Sequence, residues 1–108
     1  MSRPWPPPPD LESIRTLVRE ADPEKHLAEG AAADEYEPEE EELFAAIEHF
    51  STDELLAGNL LPILEEIWAS SFSLTADALE SRRPALFGLA QQIERFFGPE
   101  AKPQVRTQ

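Results

Sequence analysis

Residue types able to do acid–base or metal chemistry concentrate in one run, Asp34-Glu35-Tyr36-Glu37-Pro38-Glu39-Glu40-Glu41-Glu42. Carboxylates three or four positions apart share a helical face. Glu39 with Glu42, or Asp34 and Glu35 in a preceding loop, therefore offer oxygen ligands to a hard cation such as magnesium or calcium. The run lacks the loop glycine and alternating acids of an EF-hand, and consecutive glutamates at a helix start also serve capping and solvation. A metal site at Asp34, Glu35 and Glu39 is accordingly the second reading of this run, and structural use is the first.

Tyr36 is the only tyrosine, and its flanking acids suggest a ring packed on the protein with its hydroxyl near the surface. Lys25 is the one neighbouring base able to tune it. His26 and His49 are the two imidazoles, and Glu48-His49 is followed by no second histidine at the spacing of a zinc protease helix. Cysteine is absent, which excludes disulfides, thiolate nucleophiles and sulfur-ligated zinc. The chain also lacks a glycine-rich phosphate loop and a nucleophile elbow. The expectation is a non-enzymatic protein with no cofactor.

Charge placement is more informative than any single motif. The formal net charge is −13, and between Glu20 and Glu54 fourteen acids face Lys25 as the sole base, while the remainder carries eight acids and eight bases. All of the net charge thus belongs to about a third of the chain, which makes a local negative field rather than a uniform coat. Nucleic acid, which requires Lys and Arg against phosphate, is disfavoured as a partner. A basic protein partner is favoured, with Glu35, Glu39, Glu40, Glu41 and Glu42 as its expected docking residues. No apolar run approaches the ~18 residues of a spanning helix. A cytoplasmic protein with no membrane association, monomeric or homodimeric, is expected.

The elements that must position these residues follow from hydrophobic spacing. Five prolines in the first nine residues, Pro4 and Pro6 to Pro9, predict a flexible polyproline leader over 1–9, in which Arg3, Pro6 and Pro9 match an arginine-led PxxP pattern. Asp10 is placed to cap a first helix whose face is Leu11, Ile14, Leu17, Val18 and Ala21. That helix stops near Asp22, which can cap a short extra turn beginning at Pro23 and ending at Gly30. A loop over 31–37 leads to Pro38 and a second helix with Leu43, Phe44, Ile47 and Phe50 inward. Ser51 and Glu54 have capping-box spacing, so a third helix is predicted from about Thr52, burying Leu55, Leu56, Leu60, Leu61, Ile63, Leu64, Ile67, Trp68 and Phe72. Pro62 within it predicts a kink or a split. After a weakly patterned connection over Ser73 to Arg83, with room for a turn of helix from Ala76, Pro84 opens a last helix with Leu86, Phe87, Leu89, Ala90, Ile93, Phe96 and Phe97 inward, and Gly98-Pro99 ends it. Arg82-Arg83 at that helix start opposes the dipole, and the pair is free to meet the acidic segment instead. No stretch alternates with period two. The expected fold is all-α, one domain over 10–98 with about four helices, followed by a flexible tail over 99–108.

Asp22-Pro23, Gly30-Ala31-Ala32 and Asp34-Glu35-Tyr36-Glu37-Pro38-Glu39, with Phe72 closing a later helix and Ala90 and Ile93 inward on the last, resemble a family of small bacterial proteins catalogued as domain of unknown function 1871. The resemblance covers roughly Leu11 to Phe97 and implies a small all-α fold in which Asp22, Pro23, Gly30, Asp34, Tyr36 and Pro38 form a structural motif. It implies no activity. The proline leader, Glu40 to Glu42, and Gly58, Asn59 and Pro62 depart from the family's pattern.

Overall fold

The computed structural model describes residues 9–25, 28–30 and 36–99. Over these the protein is all-α, with four helices and no strand: α1 (Leu11–Ala21), α2 (Glu37–Ile47), α3 (Ala57–Ser71) and α4 (Ala76–Phe97). The helices close into a ring, α1 packing on α2, α2 on α3, α3 on α4 and α4 on α1. The expectations placed on the leader over 1–8, on His26, on Asp34 and Glu35, and on the tail beyond Pro99 lie outside the described residues.

The core is built from the expected stripes. Ile14, Leu17 and Val18 of α1, Leu43 and Ile47 of α2, Leu60, Leu64, Ile67 and Trp68 of α3, and Leu86, Leu89, Ala90, Ile93 and Phe97 of α4 are all buried in one cluster. Each large side chain contributes ~1.5 to 3 kcal/mol of gross burial free energy. Leu56 and Phe87, expected inward, are exposed instead, at 38% and 41% of their surface. Phe87 lies beyond the edge of the α4 stripe, on the same face as Arg83 and Gln91.

Two helix starts differ from expectation, each for a local reason. Ser51 and Glu54 do form a capping interaction, the Glu54 carboxylate accepting from the Ser51 amide at 2.9 Å and its hydroxyl at 3.1 Å. They cap only a 3-10 turn, Thr52–Glu54, because Leu55 turns into the core and Leu56 is extended. α3 then begins at Ala57, whose amide donates to Glu94 Oε1 of α4 at 2.6 Å. A carboxylate from another helix thereby satisfies an amide that the Leu56 side chain cannot cap. Pro62 falls in the second turn of α3, which runs over it as one helix. α4 likewise begins before its proline, because Thr75 accepts from the Ala78 amide at 3.1 Å and sets the start at Ala76. Pro84 is therefore internal, and Arg82 and Arg83 stand on the second turn rather than at the helix start.

Gly98 follows α4 as its C-cap, where space admits only glycine. A Cβ there would meet Glu94 O at 2.5 Å and Leu55 O at 2.8 Å, two backbone atoms unable to yield independently.

Candidate functional site

The acidic segment enters α2 through Tyr36, whose side chain is fully buried. Its ring lies 6.2 Å from that of Trp68 and 6.5 Å from that of Phe72, the latter edge-on. The expectation of a hydroxyl near the surface is corrected: Tyr36 donates to Asp22 Oδ1 at 2.6 Å and accepts from the Glu24 amide at 2.9 Å. Asp22 Oδ2 also accepts from the Ala28 amide at 2.9 Å. Asp22 is thus more than the expected cap of a short turn. It ends α1 in the left-handed region, at φ 44° and ψ 59°, with its own amide on Val18 O. A short-chain carboxylate tolerates that conformation better than most side chains and can turn its oxygens onto the following loop. Pro23 is buried beside it, and Gly30 adopts φ +97° at the end of the turn, as a glycine readily does.

Arg82 completes this corner from α4. Its Nε lies 3.0 Å and 2.9 Å from the two Glu24 carboxylate oxygens, and the Glu24 side chain is only 6% exposed. The arginine pair therefore divides: Arg82 meets the acidic segment within one molecule, while Arg83 binds Glu65 of α3 at 2.7 Å.

Along α2 the four consecutive glutamates separate by face. Glu39 and Glu40 lie one turn before Leu43 and share its inward stripe, so both are buried; Glu41 and Glu42 point outward and are exposed. Glu40 has no exposed surface and faces two cations of α1. Arg19 Nε donates to Glu40 Oε2 at 3.3 Å, and Arg15 Nε stands 3.7 Å from Glu40 Oε1. Among the described residues neither Arg15 Nε nor Glu40 Oε1 makes a hydrogen bond. Burial pushes the Glu40 carboxyl above its ordinary value, with Arg19 and then Arg15 pulling it back and the nearby Glu37 adding to the rise. Arg15 also approaches Glu41 at 3.8 Å.

Docking residues expected from the sequence are therefore redistributed. Glu40 belongs to the α1–α2 seam, and Glu39 is buried with it, since their positions relative to Leu43 and Ile47 make both part of the inward stripe of α2. Glu41 and Glu42 remain on the surface with Glu37 and Glu48, and Glu35 lies outside the described residues. Pro38 occupies the first turn of α2 and is exposed. The candidate metal ligands Asp34, Glu35 and Glu39 are represented only by Glu39. Among the described residues no three His, Cys, Asp or Glu side chains gather in a cluster fit for an ion. His49 is exposed and stands 3.8 Å from Glu48.

Sequence reasoning missed the Arg15–Arg19–Glu40 seam, though its signal was present. Extending the Leu43 and Ile47 spacing backward by one turn reaches Glu39 and Glu40, and Arg15 and Arg19 flank Ile14 and Val18 at a four-residue interval. No described helix is long and apolar enough to cross a membrane. No family model, curated protein or solved structure matches the chain.

Proposed function

We propose that the chain is a non-enzymatic interaction protein, inhibitor-like in use, which docks a basic protein partner on the outward acids of its acidic segment. The observation that supports this reading is the division of the segment by face. Glu24 and Glu40 are held inward by arginines, whereas Glu20, Glu37, Glu41, Glu42 and Glu48 stay exposed. Folding uses the first group. The second group gains less from the fold. Glu37 is favoured by the first turn of α2 and Glu41 reaches Arg15 at 3.8 Å, but like charges three or four residues apart on a helix repel by a few tenths of a kcal/mol per pair, and Glu48 sits at the negative end of the α2 dipole. Such a field steers a basic protein toward the surface and weakens as salt screens it.

Chemical cross-linking in extract of the source cell, followed by mass spectrometry, tests the reading with the chain and its E37Q/E41Q/E42Q/E48Q variant. A basic protein captured by the chain, reduced in the variant and lost between about 0.05 and about 0.5 M salt, is expected. Capture that is identical for the two forms and insensitive to salt would contradict it.

A further inference from the structure

Two depressions, of about 470 and 380 Å³, lie along the seam between α1 and α4 and share Leu17, Glu20 and Gln92, so they form one trough. The α1 wall is acidic. Glu12, Thr16 and Glu20 follow one another at four-residue intervals along an exposed ridge, and Asp10 extends the negative charge at one end. Glu20 is also the first acid of the charged segment. The α4 wall contributes Gln92 along its length and a single cation, Arg95, at the Asp10 end.

The floor is made of small groups. Ala21, Ala85 and Gly88 line the second depression beside Leu17 and Leu89. Gly88 stands in the middle of the 22-residue α4, where glycine weakens a helix, yet a Cβ built there meets nothing within 4 Å. Neither packing within the molecule nor a left-handed backbone calls for glycine at this position. What the missing side chain does provide is room for another backbone to approach α4 closely. With no strand among the described residues, an extended peptide would find no sheet edge to pair with, whereas a helix satisfies its own backbone. The 11 residues of α1 make the trough about 16 Å long, roughly three turns of a partner helix.

Resting on the reading that the partner is basic, we propose that this α1–α4 trough seats a short helix of that partner. Small residues of the partner helix lie against Ala85 and Gly88, and its Lys or Arg side chains lie along the Glu12–Thr16–Glu20 ridge. The acids set the orientation and the small floor sets the distance of approach.

The probe is a synthetic helical peptide of about four turns with an alanine ridge flanked by lysines, compared with a counterpart carrying Glu for each Lys. Binding to the full isotope-labelled chain is followed by amide chemical shifts. The lysine peptide should shift Leu17, Gly88 and Gln92 saturably while the glutamate peptide does not. Gly88→Ala, which returns the missing Cβ to the floor, should weaken binding several-fold, and Gly88→Leu, which fills the floor, about tenfold or more. E12Q/E20Q should weaken it several-fold at low salt; circular dichroism of each variant establishes that the helices persist. Shifts confined to the outward face of α2, around Glu41 and Glu42, would overturn the trough while leaving the basic-partner reading standing. No binding of the lysine peptide, or shifts at the trough that depend on the concentration of the chain alone and so report a second copy, would also overturn it. The basic-partner reading itself fails on its own test, when cross-linked capture is identical for the chain and its E37Q/E41Q/E42Q/E48Q variant and insensitive to salt.

Discussion

Tyr36 and Asp22 show how much a single polar contact can organise when a fully buried phenol reaches a half-buried carboxylate. The phenol ring fills space against Trp68 and Phe72, while its hydroxyl joins the end of α1 to the start of α2 through Asp22 and the Glu24 amide. Removing the hydroxyl by Tyr36→Phe keeps the ring but takes away the group that the half-buried Asp22 carboxylate and the Glu24 amide both bind. It should destabilise the protein by about 1.5 to 3 kcal/mol, the range for hydrogen bonds to charged groups, as read by urea unfolding. A loss within ~0.3 kcal/mol would show that the corner does not depend on this contact. Gly98 is the other position where one atom decides. Gly98→Ala forces a methyl group against two backbone carbonyls and should cost about 1 to 3 kcal/mol in the same measurement. The tyrosine's packed ring was legible from the acids that flank it. Its buried hydroxyl was not, because the acceptor lies fourteen residues away across a turn whose path no local pattern specifies.

At the scale of elements, hydrophobic period located all four helices, but local capping signals misplaced two of their starts. Ser51 and Glu54 satisfy the capping-box pattern, yet the helix they would open is interrupted when Leu55 packs inward; the donor that starts α3 is instead met by Glu94, thirty-seven residues on. Such long-range caps leave no mark in a local window. For α4 the mark existed: Thr75 precedes Ala76 as a cap should, but Pro84 is the more conspicuous start signal and drew the boundary forward. The middle of α4 carries a prediction of its own. Because a Cβ at Gly88 meets open space, Gly88→Ala should stabilise the protein by about 0.5 to 1 kcal/mol, measured as a raised urea midpoint with an unchanged slope. A loss of stability would mean that the helix is distorted there.

For the whole molecule, the governing feature is that one acidic segment serves two purposes. A charge count over Glu20 to Glu54 treats every carboxylate alike, whereas the fold turns Glu24 and Glu40 toward arginines drawn from α4 and α1 and leaves Glu37, Glu41, Glu42 and Glu48 outward. The negative field was legible from composition, but its division required knowing which face of α2 meets α1. The buried member also gives the molecule a pH dependence of definite sign. Burial raises the Glu40 carboxyl in the folded state above its ordinary value of 4.5, so between those two values the folded chain binds more protons than the unfolded chain. Stability attributable to Glu40 therefore rises as pH falls through that window, opposite to the usual behaviour of a carboxylate held by a salt bridge. Urea unfolding of the chain, of E40Q and of E41Q/E42Q, across pH 5 to about 8 at fixed ionic strength, tests the division most directly. On descending from the neutral end, the unsubstituted chain should gain stability relative to E40Q, by no more than about 1.4 kcal/mol per pH unit, and should show no comparable gain relative to E41Q/E42Q. A difference from E40Q that is flat with pH, or equal for the two variants, would contradict the division of the segment into a buried seam and an outward field.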